Sequence, residues 1–250
     1  MIPMVFVVIS MVAFLIFAIY LSMSGGHKPV QRKHYHGPTT PITTEDLEFE
    51  KSTNNIPAII VFDLETTGLP RVKRATPNNI NSFPSIVQIA WMVFDKELKI
   101  IKKQSHIIKQ PRKIPDLSTN IHKITNEMAS QYGVDISTAV NEILQDVEKC
   151  IILAAHNIEF DYNVLMSNLY RNGINTAPLE KINLFCTMKT GTFFCAIQRY
   201  GGGYKYPTLA ELYTACYPEK SIDPEILHSA LVDVAICAKC MDKFYELNVV

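Results

Sequence analysis

Four carboxylates and one histidine sit in stretches that are otherwise apolar, and they come from three widely separated parts of the chain. Asp63 and Glu65 lie in Val61-Phe62-Asp63-Leu64-Glu65-Thr66-Thr67-Gly68, and Asp161 lies in His156-Asn157-Ile158-Glu159-Phe160-Asp161. His228 and Asp233 share His228-Ser229-Ala230-Leu231-Val232-Asp233. Any fold that buries the apolar flanks draws these charges inward with them, and buried carboxylates that face one another repel. A divalent cation removes that cost, so the pattern calls for a fold that gathers the three segments at one place.

The first pair reads as part of a strand. Pro57-Ala58-Ile59-Ile60-Val61-Phe62 is β-branched and apolar with no helical period, bounded by Asn54-Asn55 and Thr67-Gly68. Side chains two apart on a strand share a face. Asp63 and Glu65 therefore point together at the strand's end while Leu64 points into the opposite layer. Two hard oxygen donors on one face suit Mg²⁺ or Mn²⁺.

The second and third segments open helices. Residues 150–155 read as a buried strand, and Phe160, Val164, Leu165 and Leu169 follow at helical spacing until Gly173 provides a stop. Asp161 falls in the first turn, at the positive end of the helix dipole. Leu231, Val232, Ala235, Ile236, Cys240 and Phe244 mark a long amphipathic helix with Asp233 in its early turns. Five residues rotate about 140° around a helix axis, so His228 shares a face with Asp233 only if it stands in the preceding loop. A titratable imidazole beside a carboxylate pair can accept a proton from an attacking water. Four acids and a base are the set that two-metal phosphodiester hydrolysis uses.

In this order and separation the three motifs resemble the DEDDh 3′–5′ exonucleases, the family typified by the proofreading epsilon subunit of DNA polymerase III. The likeness runs from about Ile59 to Leu247 and takes in Ile86-Val87-Gln88-Ile89-Ala90-Trp91, Ile121-His122-Lys123-Ile124-Thr125, Thr187-Met188 and Pro207-Thr208-Leu209-Ala210-Glu211-Leu212. It implies an α/β, ribonuclease-H-like fold, a five-stranded mixed sheet with helices on both sides and its first three strands antiparallel. By the same resemblance, Asp63, Glu65, Asp161 and Asp233 hold two Mg²⁺ or Mn²⁺ ions and His228 is the general base. Thr66, Thr67, Gly68 and Leu69 contact the 3′-terminal nucleotide, with His122, Asn157 and Phe160 lining its pocket. The implied substrate is the 3′ end of DNA, with RNA the alternative and a catalytically inactive nucleic-acid-binding adaptor a second one. A polymerase or replication partner is also compatible, though no residue identifies it. The chain departs from the family at Lys123, where glycine usually follows the histidine, and at Cys186, where an aspartate is common.

Charge and cysteine content set the surroundings. Lysine plus arginine and aspartate plus glutamate each number 24, giving zero formal net charge, so a polyanion needs locally concentrated cations. Arg71, Lys73 and Arg74 form one such cluster, and Lys102, Lys103, Lys109, Arg112 and Lys113 a second; either can be a phosphate-contacting edge or a solvated face. The six cysteines make no disulfide framework; Cys150, Cys195, Cys216 and Cys237 lie in apolar contexts that suit buried free thiols, and Cys237-x-x-Cys240 lacks a partner pair at zinc spacing. Gly201-Gly202-Gly203 reads as a turn.

Three parts are expected: an N-terminal membrane anchor (1–23), a flexible linker (24–55) and the catalytic domain (56–250). Met4 to Leu21 carries no charged residue and nearly spans a hydrocarbon core of about 30 Å as a helix. His27, Lys28, Arg32, Lys33, His34 and His36 follow it closely, which orients a single-pass helix with the catalytic domain facing the cytosol.

Overall fold

The computed structural model describes residues 37–249. A central sheet is built from β2 (Ile59–Thr66), β3 (Ile86–Phe94), β4 (Ile100–Ile107), β5 (Ile152–Ala155) and β6 (Asn183–Cys186), in the order β4-β3-β2-β5-β6. The first three pair antiparallel and β5 and β6 join parallel to β2, which is the mixed five-stranded arrangement expected. A two-residue strand β1 (Thr40–Pro41) pairs in parallel with β7 (Lys220–Ser221) to one side. Helices α1 (Asp116–His122), α2 (Asn126–Tyr132), α3 (Ile136–Val147), α4 (Ile158–Arg171), α5 (Ala177–Lys181), α6 (Thr187–Cys195), α7 (Leu209–Cys216) and α8 (Ala230–Glu246) complete the described chain.

The two-residue period of β2 decides which layer each side chain joins. Ile59 and Val61 enter the core beneath α8 with Val234, Ile236 and Phe244. Ile60, Phe62 and Leu64 enter the opposite core with Val140 and Ile143 of α3 and Val164 and Leu165 of α4. Each such side chain contributes about 1.5–3 kcal/mol on burial, so a one-residue slip of β2 would forfeit both layers. β2 runs four residues beyond the apolar run, because its acidic end still pairs with β3 (Asp63↔Ala90, Glu65↔Gln88) before the register shifts between Glu65 and Thr66. Asp63 and Glu65 thus continue the row of Ile59 and Val61, on the α8 side.

One polar cluster lies under β3. Trp91 Nε1 donates to Asp146 Oδ2 at 2.8 Å, and Lys102 Nζ donates to the same oxygen at 2.7 Å. This uses Lys102 internally and removes it from the second basic cluster as a ligand contact.

Two expectations about the N-terminal part need correction. Among the described residues no helix is long and apolar enough to cross a membrane. The expected transmembrane helix, the membrane partner and the single-pass localisation are withdrawn on that finding, and Met4–Leu21 lies outside the described residues. The flexible linker is not loose throughout either: Ile42, Leu47 and Phe49 pack on the core beneath α8, and Phe49 meets Phe94 edge-on at 4.9 Å. Three apolar side chains in a polar stretch are enough to hold it against the domain.

Candidate active site

The four acids converge from the sheet and two helices. Glu65 (8% exposed), Asp161 (3%) and Asp233 (9%) are buried, and Asp63 keeps partial exposure between them. Burial, and secondarily the Asp233 carboxylate, holds Asp63 well above the ordinary carboxylate range. Glu65 is pushed up to about 9 by burial and then by the charges of Asp63 and Asp233. Asp161 is raised by burial and by Asp63, against the pull of its own and Leu64's backbone N–H donors. Asp233 rises to about 6 through burial, opposed by the His228 backbone N–H, which donates to its Oδ2 at 3.1 Å. No lysine or arginine of the described residues offsets these charges.

His228 stands in the loop before α8, with φ 66°. That strained left-handed backbone is held by the bond to Asp233 and by Ala230 N, which donates to Gln88 Oε1 at 3.3 Å. Ligand atoms of Glu65, His228 and Asp233 all lie within 4.8 Å of one another. The donor set passes a further test for a cation: Asp233 Oδ1 is buried without a hydrogen-bond partner, a cost that coordination would remove. The residues fit a divalent metal centre of oxygen donors.

The fit makes a pH prediction. A carboxylate whose folded-state pKa is raised favours folding when protonated, so the metal-free protein should lose stability as pH climbs from about 4.5 towards about 9, the range set by Glu65. Divalent cation reverses this, because it holds the ligands deprotonated and releases their protons. Thermal unfolding in chelator should show Tm falling by several degrees between pH 5 and 9, and the gain from added Mn²⁺ should grow over the same range. A Tm in chelator that is flat or rises with pH would contradict the buried four-acid arrangement.

The residues expected around the terminal nucleotide fall into two groups. Thr66, Thr67, Gly68 and Leu69 form the turn leaving β2: Thr66 Oγ1 donates to Gly68 O at 2.7 Å, and Thr67 Oγ1 accepts from Ser85 N at 3.0 Å. Gly68 has φ 152° with open space where a Cβ would stand, and Leu69 is 82% exposed. Asn157 caps α4 in the left-handed conformation (φ 71°), and Phe160 in the first turn is partly buried against the α4 core. His122, the last residue of α1, is buried; Nδ1 accepts from Ile124 N at 3.1 Å while Nε2 has no partner. Burial lowers its pKa, and the charge of His228 acts in the same direction.

The Lys123 departure has a backbone explanation. Lys123 closes α1 at φ 61°, ψ 4°, the left-handed C-cap that glycine fills without strain. Lys123→Gly should raise stability by about 0.5–1 kcal/mol once the greater freedom of glycine in the unfolded chain is allowed for. A drop in Tm would show that the Lys123 side chain, whose Nζ donates to Asn120 O at 2.7 Å, matters more than the backbone. Cys186 is buried at the end of β6, ahead of α6.

Two positioning residues escaped the sequence reading. Gln88 ties the entry of α8 to β3 and also donates to Ser105 Oγ at 3.1 Å; its signal was a polar residue inside a buried apolar strand. His156 lies between Thr187 Oγ1 and Pro207 O, each at 3.1 Å, and burial lowers its pKa to about 4. It is a neutral cross-link between the end of β5, α6 and the loop before α7. Nothing local in the sequence marks that role, since both partners are distant.

The sequence model of the RNase T exonuclease family matches residues 60–241, which include all three acidic segments. The PolC-type DNA polymerase III of Mycoplasmopsis pulmonis is 26% identical over 177 residues, covering 71% of this chain and 11% of that protein. This chain spans about a tenth of the length of the curated relatives it matches. Among solved structures, Exonuclease I from Methylocaldum szegediense superposes with TM-score 0.59 at 20% identity, covering 75% of this chain and 40% of that one. E. coli Exonuclease I in complex with a dT13 oligonucleotide gives 0.58 at 17%, covering 76% and 42%. These two establish a shared fold. The family match extends over most of the chain and includes every one of the converging acids, and on that ground the chain belongs to the RNase T exonuclease family.

Proposed function

We propose that the protein is a 3′–5′ exonuclease that hydrolyses the terminal phosphodiester of single-stranded or frayed DNA and releases nucleoside 5′-monophosphates. The observation that carries this reading is the burial of Glu65, Asp161 and Asp233 with the partly exposed Asp63 in the same acidic set, the donor atoms of Glu65 and Asp233 lying within 4.8 Å of those of the exposed His228. Asp63, Glu65, Asp161 and Asp233 would hold two Mg²⁺ or Mn²⁺ ions. When bound, such ions supply Lewis-acid charge that eases ionisation of the attacking water and offsets charge on the departing 3′-oxygen. His228 accepts the water's proton, the new P–O bond forms, and the bond to the 3′-oxygen of the penultimate nucleotide breaks. Asp233 and Gln88 position His228 by bonding to the backbone on either side of it.

The terminal nucleotide would be held by the turn Thr66–Leu69 and by His122, Asn157 and Phe160. An exposed leucine next to buried charge is an apolar wedge against which an unstacked base can rest. The unsatisfied Nε2 of His122 supplies a polar contact for the same nucleotide. Assignment to DNA draws on the PolC-type DNA polymerase III relative and on the Exonuclease I complex with dT13.

Oligonucleotides labelled at the 5′ end, one DNA and one RNA of the same sequence, test the reading. With Mg²⁺ or Mn²⁺ the DNA should shorten stepwise from its 3′ end and chelator should stop it. Cleavage in the middle of the strand, or shortening that survives chelation, would contradict it; faster shortening of RNA would replace the DNA assignment by an exoribonuclease.

A further inference from the structure

A cleft of about 450 Å³ opens beside the turn that leaves β2. Thr67 and Ser85 line one wall, Gln110, Arg112 and Lys113 line another, and Arg171 also lines the cleft. The first wall belongs to the connection that carries Thr66 to Leu69. The second belongs to the loop entering α1, whose last residue is His122. The cleft therefore lies between the two loops that flank the candidate terminal-nucleotide site, and its volume is that of an ordinary ligand pocket.

Its charge is one-sided. Arg171 donates from one terminal nitrogen to Asn168 Oδ1 (2.9 Å) and from the other to the carbonyls of Ile80 (2.8 Å) and Phe83 (3.0 Å). Three of its five N–H donors are thus fixed by the protein, which makes Arg171 an immobile positive charge in the wall. Burial and the nearby Arg112 guanidinium both pull its pKa down. Among the described residues no carboxylate pairs with either guanidinium, whereas Lys113 is matched by Asp116 at 2.9 Å. Arg112 is exposed and free to turn its planar fork onto a ligand. Thr67 Oγ1 accepts from the Ser85 backbone, which leaves its own proton available.

Two guanidiniums that line one cleft without an acid repel, and a phosphate anion bound there turns that cost into charge-assisted hydrogen bonds. We propose that this cleft is a second subsite that holds a backbone phosphate of the nucleic acid, away from the nucleotide being removed, with Arg112 as its ligand. It rests on the reading of the protein as an exonuclease only for the identity of the polyanion. The basic cluster Lys102 to Lys113 is then divided: Lys102 serves the fold, and Arg112 serves the strand.

The test is direct binding, so that it does not depend on turnover. Anisotropy of a labelled single-stranded 20-mer, measured with the full chain in chelator, should show Arg112→Ala raising Kd about tenfold. The slope of log Kd against log salt should fall by about 0.7, the loss of one single-strand phosphate contact. Arg112→Lys should recover part of the affinity. A duplex with a recessed 3′ end distinguishes the source: a loss on both ligands assigns the phosphate to the strand being degraded, and a loss confined to the duplex assigns it to the complementary strand. Hydrolysis of the p-nitrophenyl ester of thymidine 5′-monophosphate, which is one nucleotide long, should change by less than twofold. A Kd for Arg112→Ala within twofold of the parent on both the 20-mer and the duplex, with unchanged salt slopes, would overturn the subsite, as would an equal loss on the small ester. A parent that binds the 20-mer but hydrolyses nothing would refute the exonuclease reading and leave the subsite standing.

Discussion

Asp63→Ala should abolish hydrolysis, with a loss of at least about 10³-fold in kcat, equivalent to about 4 kcal/mol of transition-state stabilisation. Asp63 is the hub of the acidic set: its charge acts on Glu65 and on Asp161, and it is itself raised by Asp233. Removing it takes one oxygen donor from a set whose members act on one another, so cation binding should go with it. The same substitution relieves repulsion, so the metal-free variant should be at least as stable as the parent, and Mn²⁺ should no longer raise its Tm. The two measurements separate chemistry from folding. Turnover within tenfold of the parent in Mg²⁺ would refute the metal assignment, and a large drop in metal-free Tm would mean that Asp63 is structural.

The second large effect belongs to His228. Loss of a general base costs about 10²–10⁴-fold, and the imidazole has no substitute among the acids if they are occupied as ligands. In the parent, a general base gives activity a limb that rises with pH. In His228→Ala that limb should flatten while the Mn²⁺-induced rise in Tm is largely kept. The exposure of His228 and its loop position make this clean, because little packing is lost. A variant that keeps the parent's pH profile would remove His228 from proton transfer. One that loses the Mn²⁺ response would make His228 a ligand alongside Glu65 and Asp233, whose donor atoms are within 4.8 Å.

How far the sequence reveals this site depends on which residues carry local signals. The layer assignment of β2 is legible because a two-residue period leaves one choice: Ile59 and Val61 set the face, and Asp63 and Glu65 continue it. The end of the strand was less legible, since acids are poor strand formers and only pairing with Ala90 and Gln88 keeps the chain extended. The placement of His228 outside α8 follows from helical geometry alone. His156, by contrast, is made neutral and structural by Thr187 and Pro207, partners 31 and 51 residues away. At Lys123 the residue itself does not announce a left-handed C-cap, and only the glycine that the family usually has at this position points to it. The packing of Ile42, Leu47 and Phe49 was obscured by the polar residues around them, and the apolar run Met4–Leu21 led to a membrane anchor that no described helix supports.

The most direct measurement is to locate the ions themselves. Crystals of the protein grown with Mn²⁺ and a nucleoside 5′-monophosphate, recorded at a wavelength where manganese scatters anomalously, should show two peaks. Both should lie among the carboxylates of Asp63, Glu65, Asp161 and Asp233, and both should vanish in Asp63→Ala. Peaks elsewhere on the chain, or an acidic cluster with no bound manganese at saturating concentration, would contradict the account.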